Sequence, residues 1–301
     1  MTSWTLDLFK VECEHSYETT SLGELVMALK ILVSTDMEGI SGVVHSDHTS
    51  RTGQDYEMAR RLMTLETNAA IEGAFEAGAS EVLVNDSHGT QRNLLPELLD
   101  QRARVITGSP KPLTMMAGLD RTFGAVLCVG YHARAGTQGI LDHTISGRAI
   151  FDLRINGESH GELGINAGIA SYFGVPIVLV TGDSTCSQQA LDLIPEVEIA
   201  TVKEPLTRYA AKCLSPTDAQ DLIRGQAKRG IERREEIAPV QYQMPVTMTI
   251  QFMYSAMADV AAFIPGVSRD DGLTVSFTSS DYVEAFGCVR AMILMAGVVA
   301  P

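Results

Sequence analysis

The order of patterns along this 301-residue chain predicts an α/β fold: a three-layer sheet with helices on both faces, followed by a smaller C-terminal α+β unit. Two observations carry the prediction. Short β-rich runs alternate with longer helical patterns through the first two thirds of the chain, the signature of parallel strands joined by helical crossovers. Beyond about residue 205 that rhythm gives way to a polar helical stretch, two alternating runs and a final apolar helix. The expected division is therefore a leader over 1–26, an α/β catalytic domain over 27–204 and the smaller α+β domain over 205–301.

The first 26 residues have neither the basic start and apolar core of a secretory signal nor any helical or strand period. Met27 opens "MALKILVSTD" just before the first strand, so the leader is expected to be a disordered extension or a start-site artefact. Strands follow at "KILVST", "EVLVN", "RVITG", "AVLCVGYH" and "PIVLVTGD", and the sheet they form is expected to be parallel at its centre. Between the first two, Met58, Leu62, Leu65, Ala69 and Phe75 trace a helical stripe that Gly78 stops. "AIFDLRINGES" alternates and turns at Asn156-Gly157, a hairpin, and "GELGINAGIASYFG" reads as a helix ending at Gly174. Ser184 is placed to cap the helix after "PIVLVTGD". The C-terminal unit consists of the helix in "SPTDAQDLIRGQAKRGIERREEIAP", the runs "VTMTIQF" and "LTVSFTSS", and the helix in "DYVEAFGCVRAMILMAGVV".

Composition narrows the function. A hydrophobic share of 45% with 20% charged residues is that of a globular chain, not a disordered one. A net charge of -14 argues against nucleic acid, whose phosphates call for clustered Lys and Arg. No apolar run approaches the ~20 residues that cross a bilayer. Five scattered cysteines with no C-x-x-C pair suggest neither a disulfide framework nor a thiolate zinc site, and fit a reducing cytoplasm. Small molecules, peptides or metal cations are the partners left.

In open α/β sheets the functional crevice lies at the carboxyl ends of the strands. Asp36 and Glu38 follow the first strand, Asp86 and His88 the second, and His132 closes another, so three strands deliver carboxylate or imidazole to one edge. Each alone reads most simply as a cap, a turn former or a hydrogen-bonded histidine; together they read as a ligand set for Zn²⁺ or a neighbouring divalent ion. Glu162, in the first turn of the helix after the hairpin, could complete the set, with Asn166 one turn later facing the same way, but position alone does not decide it. His143, in the loop "GILDHTISGR", is either a structural loop histidine or a group that stabilises an oxyanion or protonates a leaving amine. His45, His48 and His160 read as loop residues. No nucleophile elbow, dinucleotide fingerprint or phosphate loop appears.

Taken in order, "STDMEGISG", "NDSHG", "GYHA", "DHT" and "GELGINA" resemble the zinc-dependent D-aminopeptidases of the DppA type, from about Lys30 through the rest of the chain. The resemblance implies that Asp36, Glu38, His88, His132 and Glu162 hold two zinc ions per subunit, and it favours Glu162 over Glu158. It implies that His143 assists catalysis beside the metals; Asp36, the first and most centrally placed carboxylate, is the ligand expected to be shared between them. The implied reaction is attack of a zinc-activated water on an amide carbonyl, releasing an N-terminal D-amino acid from a short peptide. It also implies a ring-like homo-oligomer whose active sites face an inner cavity. A binuclear hydrolase of another small amide or ester is the nearest alternative, and a metal-stabilised binding or transport-accessory protein without turnover is a third.

Overall fold

The computed structural model describes residues 28–300 and, ahead of them, the backbone of two short strands, β1 (Tyr17–Thr19) and β2 (Leu25–Met27), which pair antiparallel. The rest of the 1–26 segment, and with it the expectation of a disordered leader, lies outside the described residues. The chain then runs through β3 (Lys30–Thr35), a short helix α1 (Ser46–Thr49), the long helix α2 (Tyr56–Glu76), β4 (Glu81–Asp86), β5 (Arg104–Ile106) and β6 (Phe123–Tyr131). The hairpin β7 (Ile150–Ile155) and β8 (Glu158–Ser159) precedes α3 (Glu162–Phe173), β9 (Ile177–Asp183), α4 (Ser184–Leu193), β10 (Glu198–Thr207), β11 (Ala210–Cys213) and α5 (Pro216–Glu232). The chain closes with β12 (Val246–Phe252), α6 (Ser255–Ala261), β13 (Ser268–Arg269), β14 (Thr274–Ser279) and α7 (Tyr282–Val298).

The main sheet has the order β11-β10-β9-β6-β3-β4-β5, parallel throughout except for the antiparallel edge strand β11. Its central strands are apolar because both faces are covered; every residue of β9 is buried. Adjacent residues of β3 show the two faces directly. Thr35 Oγ1 accepts a hydrogen bond from Thr67 of α2, whereas Ser34 shares Tyr131 Oη with Asn166 of α3. Neighbouring strand residues point to opposite sides, so α2 and α3 lie on opposite faces of the sheet.

The second sheet, β13-β14-β12-β7-β8, is antiparallel, and β12 buries alternate residues as its sequence period requires. It takes β7 and β8 from before residue 205 and β12 to β14 from beyond it, while α5 packs across α2 on the main sheet. Neither sheet is confined to one side of that boundary.

Three local readings change. The buried stripe of α2 is Tyr56, Ala59, Met63, Thr67, Ala70 and Ala74, and Met58 is exposed, because α2 is wedged between the sheet and α5 and buries a face rotated from the one its largest apolar residues mark. The cap of α4 is Asp183 rather than Ser184: its carboxylate accepts from Cys186 N–H and also from Ile140 N–H. Strand β10, which carries Lys203, Glu204 and Pro205, and the edge strand β11 beside it escape an apolar-run search. Among the described residues no helix is long and apolar enough to cross a membrane.

Candidate metal centre

Three neighbouring strands end together. Thr35, the last residue of β3, pairs with Asp86 of β4 on one side and Val129 of β6 on the other, so Asp36, His88 and His132 leave the sheet along one edge. The strand stops at Thr35, and Glu38 sits in the turn that follows it. Convergence comes from the turn. Asp36 N–H donates to the Val129 carbonyl and Gly39 N–H to the Gly130 carbonyl, pressing the loop against β6. A Cβ at Gly39 would stand 2.0 Å from the Tyr131 carbonyl oxygen, so only glycine permits that approach.

Two buried charges from elsewhere hold the same loop. Lys203, on β10, donates from Nζ to the carbonyls of Glu38, Ile40 and Val43, and burial pulls its pKa down to about 8. Glu66, on α2, accepts from Ser41 N–H, and burial pushes its pKa up to about 7. Neither residue stands out in sequence, since a lone Lys in a strand and a lone Glu in a helix both read as surface.

Each of the three histidines spends one ring nitrogen on a backbone carbonyl. His88 donates from Nε2 to Thr49, His132 from Nδ1 to Ala133 and His143 from Nδ1 to Leu141, each at 2.9 Å. The other nitrogen of each is thereby aimed at carboxylates. His88 Nδ1 lies 2.9 Å from Glu38 Oε2 and 3.3 Å from Asp36 Oδ1; His132 Nε2 lies 3.5 Å from both Asp36 Oδ2 and Glu162 Oε1; His143 Nε2 lies 3.7 Å from Glu162 Oε1. This fixing of tautomer and ring plane by a backbone acceptor is the usual support of a metal-ligating imidazole.

Burial makes the carboxylates demanding. Asp36, Glu38 and Glu162 are each no more than 7% exposed. Desolvation, then the Glu38 charge, pushes Asp36 up to about 6. Burial opposes ionisation of Glu38 and Glu162 as well, but His88 holds Glu38 well below its ordinary value and His132 holds Glu162 down to about 2. The same pairings lift His88 well above its ordinary value, and His132 to about 10, against the desolvation of the imidazolium. Three buried carboxylates need positive charge at this spot. His132 Nε2 is buried with no hydrogen-bond partner among the described residues, and ligand atoms of Asp36, Glu38 and His132, and again of His132, His143 and Glu162, lie within 4.8 Å of one another. A divalent cation fits this donor set.

Comparison with known proteins identifies the family. A family model described as D-aminopeptidase matches residues 29–291. The chain belongs to the D-aminopeptidase family. A D-aminopeptidase of Bacillus subtilis (strain 168) is 39% identical over 271 residues, 89% of this chain and 96% of that one. A solved structure, the Zn-dependent D-aminopeptidase DppA from Bacillus subtilis, described as a self-compartmentalizing protease, superposes with a TM-score of 0.88 at 36% identity, covering 91% of this chain and 100% of that one.

Beside the cluster this D-aminopeptidase has a cavity of about 170 Å³, whose walls include Asp36, His88, His143, Glu162, Asn166 and Arg290. Gln91, Thr114 and Ile145, which also line it, are non-glycine residues with positive φ, and Ile145 N–H donates to Glu162 Oε1. Backbone held in that region is costly, and here it shapes the cavity wall. Asn166 does face the cavity one turn after Glu162, with its Nδ2 donating to Tyr131 Oη.

The remaining strand-end and histidine positions fall outside the cluster. Asp86 gives its carboxylate to Asn93 N–H, Asn93 Nδ2 and Leu94 N–H and so organises the loop after β4. His48 Nδ1 accepts from the Val44 and His45 N–H groups, and His160 lies edge-on to Tyr242. Arg290 is absent from the sequence reading, although one signal marks it: a single charge inside the apolar run "AFGCVRAMILMAG".

Proposed function

We propose that this D-aminopeptidase removes N-terminal D-amino acids of the D-Ala type from short peptides, with two zinc ions per subunit held by Asp36, Glu38, His88, His132 and Glu162. The observation that carries the reading is the set of backbone-fixed imidazoles aimed at three buried carboxylates. Zinc in its structural relative, and the donor chemistry here, support the choice of metal. Donor atoms gather on both sides of His132, beside Asp36 and Glu38 and beside Glu162, which supports a pair of sites, and Asp36, whose two oxygens face His88 and His132, would be the ligand shared between them.

When bound, zinc supplies Lewis acidity toward a carbonyl and toward water near neutral pH. The chain's own residues do the rest. Glu162, fixed by Ile145 N–H, and Asp36 line the wall where a free α-amine could serve as a nitrogen donor to the cluster, an option that acylation removes. His143, its Nδ1–H held by the Leu141 carbonyl, presents Nε2 at the cavity wall, where a proton on that atom can stabilise a carbonyl oxyanion or pass to the departing amine. With amine and carbonyl both held, inverting the α-carbon turns the side chain into the wall, which is the basis of D selectivity.

The relative's self-compartmentalizing character supports a ring-like homo-oligomer, the free cysteines fit a cytoplasmic setting, and well-exposed apolar side chains such as Phe263 and Leu206 are available for subunit contacts. Comparing kcat/KM for D-Ala-D-Ala, L-Ala-L-Ala and N-acetyl-D-Ala-D-Ala tests the reading. The first should exceed the other two by a factor on the order of 10². Equal or reversed preference would favour a hydrolase of another small amide or ester.

A further inference from the structure

Arg290 is the only lysine or arginine among the described residues that line the cavity. It lies on α7, one turn after Phe286, so the two side chains share one helix face, and both line the cavity. Asp36 and Glu162 bring negative charge to the other walls. Among the described residues Arg290 has no hydrogen-bond or ion-pair partner, unlike Arg154, Arg208 and Arg233, each of which is paired to a carboxylate. It is half-buried, and burial lowers its pKa with only the Glu162 charge acting against the shift. A guanidinium with part of its hydration removed and no protein acceptor is poised for an external anion, and its planar fork matches a carboxylate with two parallel hydrogen bonds.

We infer that Arg290 is a specificity residue that binds the C-terminal carboxylate of the peptide substrate, so that the enzyme selects dipeptides, and after them tripeptides, over longer or C-terminally blocked chains. The inference rests on the aminopeptidase reading above. A peptide whose amino end lies at the carboxylate cluster extends by about 3.3–3.6 Å per residue, so in a cavity this small its second residue stays within the lining that includes Arg290. A free carboxylate there meets Arg290.

The test compares kcat/KM for D-Ala-D-Ala and its C-terminal amide in the zinc-loaded wild type, in Arg290→Gln and in Arg290→Lys, with light scattering and metal content measured for each. Wild type should prefer the free acid by about 10–100-fold, mainly through KM. Arg290→Gln should lose that preference by slowing the acid while leaving the amide within about threefold, and Arg290→Lys should keep part of it. A wild-type acid-to-amide ratio near one overturns the inference without recourse to any variant. So does an equal loss on both substrates in Arg290→Gln, especially with altered assembly, which would make Arg290 a structural or intersubunit residue. Failure of wild type to hydrolyse either D-peptide would instead overturn the aminopeptidase reading itself.

Discussion

The imidazoles of His132 and His143 stack face to face, with ring centroids 4.1 Å apart and planes 9° from parallel. Both rings turn Nε2 toward the same Glu162 oxygen, yet His132 is buried and His143 opens onto the cavity. The pairing separates two roles by exposure. If the proposed ligand set holds, His132→Ala should lose bound metal, because its buried imidazole no longer stands between Asp36 and Glu162. His143→Ala should keep metal content near normal while turnover falls by a factor on the order of 10² or more. Metal analysis beside kcat decides; stoichiometric loss of metal from His143→Ala would make His143 a ligand.

Lys203 ties the carboxylate loop to β10 through three carbonyls. Lys203→Met fills a similar volume but leaves those acceptors unsatisfied, at about 1–3 kcal/mol for each one not rescued by water. A fall in Tm by several degrees, together with weaker metal retention under mild chelation, is the expected result. Unchanged Tm and unchanged metal retention would mean that the loop holds its shape without the ammonium group.

Glu66 gives stability a pH dependence that does not involve the metal ligands. Its folded pKa of about 7 stands above the ordinary 4.5, so its contribution is fully present below about pH 4.5 and is lost as pH rises through about 7. Desolvation is the cause, with the Ser41 N–H and the Lys203 charge opposing it, and Oε2 has no hydrogen-bond partner among the described residues. Glu66→Gln keeps an acceptor for Ser41 and cannot ionise. Relative to wild type, the variant should gain stability between pH 5 and pH 8, by no more than ~3 kcal/mol. Parallel Tm curves for the two proteins across that range would contradict the assignment.

Much of this architecture was legible in the sequence because it depends on local pattern. "KILVST" is β3, Asn156 and Gly157 turn the β7–β8 hairpin with positive φ, and Gly174 ends α3 in the left-handed region. The candidate ligands were legible for a related reason: parallel strands must end at one edge, so residues after "KILVST", "EVLVN" and "VLCVGY" are brought together by topology. What was not legible depends on contacts between distant segments. The buried face of α2 is set by α5, some 150 residues later, and Lys203 earns no notice until β10 is seen to lie over the Glu38 turn. Arg290 becomes meaningful only once α7 is placed against the cavity.

The most direct test of the central claim is a zinc titration of the metal-free protein, followed by D-Ala-D-Ala hydrolysis. Activity should be absent without metal, rise with added Zn²⁺ and level off at two ions per chain. Full activity in the rigorously metal-free protein, or none at any zinc concentration, would contradict the account.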